Sequence, residues 1–439
     1  MNILQRAFKK SLNISRLQRS TQFQRQAIVQ QFGQFRANQF ASNNRNLIEL
    51  GYEQNVDVYS MIRKMVEVSQ TARWVVEKKK RGTANEWEEM TDTTLHELIA
   101  NPNQTKNYTW NNIIEQTIIY LLAGGNAINL GMDANGESEG ITGPIVELDV
   151  LPNRFITIKT TKDWFDPIDN YKFEIDTFKA TFAKEEIQHF TLFNPGYNSI
   201  AKSVWGLSPI AVAARVVQVG NDRWDADAVL LQNRGAIGMI AQRNSEYPMT
   251  KEEALQTQED WDELTAGPEK FGRIKVSRQD MRFIQMAMSP ADLKLIEHGP
   301  VTLRAMCNVL GFDSGIFNDP MNKTFNNRKT AEIAMLADAV GPLNKQLATG
   351  YTRWLVPTHF PTDAPGTVRM RADLSEHPAL QQDIKEKTDA VTKMKLAGII
   401  TPDRAAELLD QPLSGDDNAD KLIVTASNVL LQDIDKTEE

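Results

Sequence analysis

The 439-residue chain predicts an α+β fold built in more than one unit, on three observations. Between residues 49 and 205, helical periodicity is interleaved with runs that alternate apolar and polar, as half-buried strands do. From Ser208 the pattern switches to long helices, and a small mixed module, 236–288, is set between two of them. The length itself exceeds what one ordinary core organises.

Taken in order, residues 1–48 hold eight Arg or Lys, no carboxylate, and many Gln and Asn, the composition of a basic flexible arm. VDVYSMIRKMVEVSQ (56–70) is helical and TARWVVEKK (71–79) strand-like. TWNNIIEQTIIYLLAGGNAINLG (109–131) predicts a helix that runs into Gly124-Gly125 and then a strand. IVELDVLPNRFITIKT (145–160) and YKFEIDTFKATF (171–182) alternate as strands. A helix over 208–234 follows: Ser208 suits its N-cap, Pro209 its first turn, and Asn233 with Gly235 its stop. Ile210, Ala214, Val217, Trp224, Ala228 and Leu231 give it an apolar stripe with Asn221 in the gap, and Arg215, Gln218, Asp222 and Asp225 a polar one.

Within 236–288, IGMIAQ is a strand, Thr250 and Glu253 make a capping box, and GRIKVS with MRFIQM form a hairpin or strand pair. A second helix opens at Ser289-Pro290, with an interruption expected at Gly299-Pro300, and ends at Gly311. GFDSGIFNDPMNKTFNNRKTAE (311–332) then reads as a long loop able to take several backbone states, with no core position in 316–324. Loops of that length inside a compact fold are uncommon and are usually functional or disordered. A third helix from about Asn327 carries Ile333, Leu336, Val340, Leu343 and Leu347, with a break expected at Gly341-Pro342. After TVRMRADLS the chain is largely helical and ends in an acidic tail.

The net charge is −8; with +8 on the arm, residues 49–439 carry −16. A basic arm on an acidic body suits either a solvated disordered tail, the reading preferred, or docking to something anionic, whereas a tight duplex-DNA binder would need a strong phosphate-neutralising face. The one cysteine, Cys307, excludes an intramolecular disulfide and falls at an apolar helical position. No stretch of 18 apolar residues predicts a membrane span. Phosphate-cradling GxxxxGK[ST], GxGxxG after a strand, GxSxG, CxxC and HExxH are all absent, so neither an enzyme nor a cofactor is expected. His189 and His298 lack ligand spacing and are read as structural, and EDWDEL (259–264) as the solvated face of a helix. GDDNAD (415–420) departs from a calcium loop in its Gly and final Glu, so no metal is expected.

Four stretches, in this order and spacing, resemble the HK97-like family of bacteriophage portal proteins: NPNQTKNYTWNNIIEQTIIYLLAGGNAINL (101–130), EEIQHFTLFNPGYNSIAKSVWGLSPIAVAA (185–214), the run from SPADLKLIEH through MCNVLGFDSGIF to NNRKTAE (289–332), and KMKLAGIITPDRAAELLDQPLSG (393–415). The likeness covers roughly 56–425. It implies a ring, normally of twelve copies, at one capsid vertex, through which double-stranded DNA is packaged, retained and ejected without sequence preference. It also implies a wing at 49–205, stem segments at 206–235 and 289–312, a clip at 236–288, a tunnel loop at 313–326, a tunnel helix returning to the wing over 327–375, and a crown with its acidic tail at 376–439. The large terminase subunit, a head–tail adaptor, the major capsid protein and a scaffolding protein are the implied partners, with no membrane. By the same resemblance, Met321, Asn322, Lys323, Phe325 and Asn326 fall in the loop that meets the duplex, Lys323 supplying a thin positive girdle, and the Arg215–Asp225 stripe lines the channel or stem. Residues 1–48 lie outside the likeness. The other class in view is a capsid-associated structural or adaptor protein that lines no channel, which images of the particle would distinguish.

Overall fold

A computed structural model describes residues 47–80, 86–134, 140–232, 238–242, 250–253, 255–257, 259, 281–285, 295–317, 319, 325–409, 411 and 421. After a π-helical turn at Leu47–Glu53, helix α1 (Val56–Ser69) is capped by Asn55, whose side chain accepts the Val58 N–H at 3.0 Å. Its buried positions Val58, Met61, Ile62, Met65, Val66 and Ser69 repeat at helical spacing. Strand β1 (Arg73–Lys79) is the centre of an antiparallel sheet, flanked by β2 (Trp87–Glu89) and by β11 (Val368–Asp373) from far along the chain. Pairing across nearly 300 residues makes the two ends of this region one body.

Helix α2 (Thr94–Ala100) leads to α3 (Trp110–Gly124), which starts where the Asn112 side chain accepts the Thr109 N–H at 2.9 Å. It stops at Gly125, in the left-handed region at φ 76°. Strand β3 (Asn126–Asp133) follows at once, as expected, and is central in a sheet of order β4 (Ile145–Leu151), β3, β8 (Ile187–Thr191). A third antiparallel sheet joins β5 (Ile156–Thr160), β6 (Ile168–Ile175) and β7 (Phe178–Ala183). Ile128, Leu130, Ile158, Tyr171, Phe173 and Ile187 form a small core between the last two sheets.

The expected 208–234 helix is two pieces, separated by α4 (Ile200–Ser203) from the strands: a short α5 (Pro209–Val212) and α6 (Ala214–Gln232), with a non-helical Ala213 between them. Strand β9 (Gly238–Gln242) pairs antiparallel with β10 (Met281–Gln285), so the described partner of MRFIQ is the IGMIAQ segment; GRIKVS lies outside the described residues. The Thr250–Glu253 capping box is formed in both directions, at 2.9 and 3.3 Å. Helix α7 (Leu295–Leu310) runs without interruption through Gly299-Pro300. There the proline forfeits only its own bond to the Ile296 carbonyl, near the start of the described helix, and the ladder beyond is intact.

The third helix also lacks the expected break. Helix α8 (Phe325–Ala334) passes through a π-helical stretch, Met335–Val340, into α9 (Gly341–His359). The Gly341 N–H donates to the Leu336 carbonyl five residues back, which widens the helix immediately ahead of Pro342 and relieves the clash a proline ring makes with an ordinary turn. A Cβ at Gly341 would stand 2.8 Å from that same carbonyl. Helices α10 (Pro378–Leu396) and α11 (Pro402–Leu408) close the described chain, the latter capped by Thr401. One main core joins α1 and α3 to Ile210, Ala214 and Val217, to Met306, Cys307 and Leu310, and to Leu336, Val340, Leu343, Leu347, Tyr351 and Leu355.

Candidate nucleic-acid interface

The long helices leave the body at a backbone crossing. Gly206 passes so close under the Gly125 turn that a Cβ there would lie 2.1 Å from the Gly125 carbonyl, and its N–H donates to the Asn126 side chain at 2.8 Å. Ser208 then does two things: its hydroxyl donates to the Ala123 carbonyl at 2.6 Å and accepts the Ala211 N–H at 3.2 Å. It therefore caps α5 and ties it to the last turn of α3.

Farther along, Asn221 is held by Asn55, whose amide donates to it at 2.8 Å while its oxygen caps α1. The polar residue in the apolar stripe is thus a fastening between two helices. Among the stripe's described side chains, Ile210, Ala214 and Val217 are buried, whereas farther along Trp224 is 55% exposed and Ala228 is exposed as well, because the body ends and the helix continues. Val212 and Val219 are also exposed, as are Val301 and Val309 on α7, which packs along α6.

Arg215, Gln218, Asp222 and Asp225 fall within about 80° of arc at 3.6 residues per turn. Arg215, Asp222 and Asp225 are exposed, and Gln218 donates to Asp222 at 2.7 Å. Next to them, Arg223 stacks over Trp224 and partly offsets the burial that raises the Asp57 carboxyl above its usual range. The stripe is mixed in sign, one cation with two carboxylates.

The stretch 311–332 differs most from its sequence reading. Ser314–Phe317 form a 3₁₀ turn with Ser314, Gly315 and Ile316 buried, and Phe312 and Phe317 meet at 5.8 Å. Asp319 is buried and receives two bonds from the Arg304 guanidinium of α7, at 2.6 and 2.7 Å, and a third from the Ser314 hydroxyl at 2.7 Å. The loop's first half is thus nailed to a long helix, contrary to the expectation that 316–324 contains no core position. Met321, Asn322 and Lys323 lie outside the described residues, and Phe325 and Asn326 open α8. Nothing in the sequence marked Arg304 and Asp319 as partners: the Asn-Asp-Pro string signals a turn, and a bidentate pair fifteen residues apart has no motif.

Among the described residues, no group of three or more His, Cys, Asp or Glu could hold a metal ion, and no helix is long and apolar enough to cross a membrane. Cys307 is buried, its thiol pushed up to about 12 by that burial. His189 lies where Tyr171 OH meets Nδ1 and Nε2 meets the Asn126 side-chain oxygen, each at 3.2 Å. Burial lowers it to about 4, and the neutral ring, accepting at Nδ1 and donating at Nε2, satisfies both partners.

The sequence model of the family described as phage portal protein matches residues 57–410. The chain belongs to the phage portal protein family. No curated protein matches it. The portal-family fold is seen in solved structures. A chain from the neck of an empty GTA particle computed with C6 symmetry is 18% identical at a TM-score of 0.60, covering 84% of this chain and 94% of that one. One from the neck of a native GTA particle computed with C12 symmetry is 18% identical at 0.59, covering 85% and 94%. An HK97 family phage portal protein from Corynebacterium diphtheriae is 12% identical at 0.50, covering 75% and 94%.

Proposed function

We propose that this portal-family chain is the subunit of a ring-shaped channel at one capsid vertex, through which double-stranded DNA is packaged, retained and ejected. The observation that carries this reading is the family match over 57–410 on a fold shared with neck chains of C12- and C6-computed particles. The exposed apolar positions Val212 on α5, Val219 and Trp224 on α6, and Val301 and Val309 on α7 fit the same reading, since a lone chain leaves them in water. In it, 49–205 is the wing, 206–235 and 289–312 the stem, 236–288 the clip, 313–326 the tunnel loop, 327–375 the tunnel helix and return, and 376–439 the crown. The mixed Arg215–Asp225 stripe and Lys323 are suited to weak, salt-screened phosphate contacts that let a duplex slide. The partners proposed are the large terminase subunit at the clip, a head–tail adaptor, and the major capsid and scaffolding proteins. No step requires nucleotide hydrolysis by this chain.

Cryo-electron micrographs of the purified protein test the reading. Class averages should show closed rings of about a dozen copies with an axial opening. Only monomers or open fragments at micromolar concentration, with and without salt, would sink it in favour of a capsid-associated protein that lines no channel.

A further inference from the structure

The end of α10 carries apolar surface that the described body leaves in water. Its last turn closes at Gly398, in the left-handed region at φ 65°. There the Gly398 N–H donates to the Lys395 carbonyl and the Ile399 N–H to the Met394 carbonyl, each at 3.0 Å. A closure of this kind commonly sets the side chain after the glycine against the one five positions back. Met394 is 43% exposed, Leu396 56% and Ile399 68%, while Val391, one turn earlier, is buried. Because hydrogen bonds already fix the backbone of this tip, covering it orders little more than side chains. Lys393 and Lys395 alternate with the apolar residues; both are exposed and, among the described residues, neither is in an ion pair.

The sequence past α11 has the complementary pattern. Residues 422–431, LIVTASNVLL, hold no charge and no proline and are mostly apolar, a composition that aggregates when left uncovered. Carboxylates bracket the run, Asp416, Asp417 and Asp420 ahead of it and Asp433 and Asp435 behind. The apolar run thus matches the tip, and its flanks match the two lysines. The tether favours this segment over a free partner. Helix α11 packs on α10, and Leu422 follows Leu408, the last residue of α11, by fourteen positions. Fourteen residues span up to about 46 Å, whereas α10 is about 28 Å long. The segment therefore reaches the tip, and a short tether holds its cargo at an effective concentration on the order of millimolar.

We propose that residues 422–431 dock on the α10 tip of their own chain, with the apolar run covering Met394, Leu396 and Ile399 and its flanking carboxylates facing Lys393 and Lys395. The contact fastens the acidic segment after α11 to the last helices of the body. It does not rest on the ring reading above, since one chain supplies both surfaces.

Hydrogen exchange of the full chain, read by mass spectrometry, tests this. Amides of 422–431 should exchange roughly tenfold or more slowly in wild type than in a Met394→Asp/Ile399→Asp variant. Those of 394–399 should speed up by a similar factor in a chain ending at Asp420. Both substitutions fall at exposed positions, and unchanged exchange in α3 verifies that the body is intact. A second readout separates the chain's own segment from a neighbour's. Mild oxidation of a Met394→Cys/Val429→Cys variant should give a cross-linked monomer of altered mobility on a non-reducing gel. Buried Cys307 does not compete, because its thiol is pushed up to about 12. A ladder of multimers would assign the tip to a second copy and overturn the proposal. So would fast exchange of 422–431 in the intact chain, which would leave the tip to another protein. Slow exchange that survives Met394→Asp/Ile399→Asp would place the segment elsewhere and overturn it as well.

Discussion

Asp319 shows how much one side chain can decide. Its carboxylate is buried among three donors, so Asp319→Ala leaves the Ser314 hydroxyl and an Arg304 fork without their acceptor. A loss of about 2–3 kcal/mol in unfolding free energy is expected, read as a lowered denaturant midpoint with an unchanged slope. His189 sets a pH dependence. Its folded value, about 4, lies below the ordinary 6.5, so the stability it contributes is present above about pH 6.5 and lost as pH falls towards 4. His189→Asn should flatten the fall in thermal midpoint between those limits; an unchanged slope would show that other groups set it. At this scale the sequence was informative where a residue acts locally. Ser208 and the Thr250–Glu253 box could be read because a cap is a relation between residues three apart. Asn55–Asn221 and Arg304–Asp319 could not, since each joins residues brought together only by the finished fold.

At the scale of elements, strands and helices follow from periodicity, while both proline arguments need tertiary context. Gly299-Pro300 and Gly341-Pro342 are breakers by local rule, yet α7 is continuous and the third helix widens instead of stopping. The wide turn depends on a residue without a Cβ, so Gly341→Ala should force it to rearrange and shift Leu343 and Leu347 in the core. The measurement is a fall in thermal midpoint larger than the gain Ala ordinarily brings to a helix, about 1 kcal/mol. The apolar stripe of α6 was legible as a pattern but not in its extent, because sequence does not show where the supporting body ends. The β9–β10 ladder offers a clean excision. Gly238 pairs with Gln285, so their Cα atoms are about 5 Å apart, and a short linker can replace 239–284. The shortened protein should stay soluble and ring-forming but lose large-terminase binding in a pull-down; undiminished binding would place the docking surface elsewhere.

For the whole molecule, the division of the loop matters most. Removing 316–324 takes out buried Ile316 and Asp319 and should unfold the junction of α7 and α8, whereas replacing 320–324 alone by glycines removes no described core position. The second variant should therefore keep wild-type thermal stability and ring assembly while lowering the DNA packaged or retained per particle. Wild-type values for genome length and retention would mean that this segment does not touch the duplex. Lys323→Ala alone should give a smaller defect, since each exposed phosphate contact is weak and screened by salt.

The backbone crossing of Gly125 and Gly206 has a mechanical meaning. A hinge needs a few residues free to change dihedral angles, and here the chain passes from strand to long helix with carbonyl, amide and hydroxyl all engaged. Ile210, Ala214 and Val217 then share one core with Tyr351 and Leu355 of α9. The long helices are therefore levers welded at one end: force applied at their far tips arrives in the body as torque, with no joint to absorb it. Gly125→Ala, which adds a left-handed-region penalty of about 1–2 kcal/mol and a backbone clash with Gly206–Ser208, would loosen the weld. If successive copies are to tilt against one another while a load passes through them, the give must come from the contacts between copies.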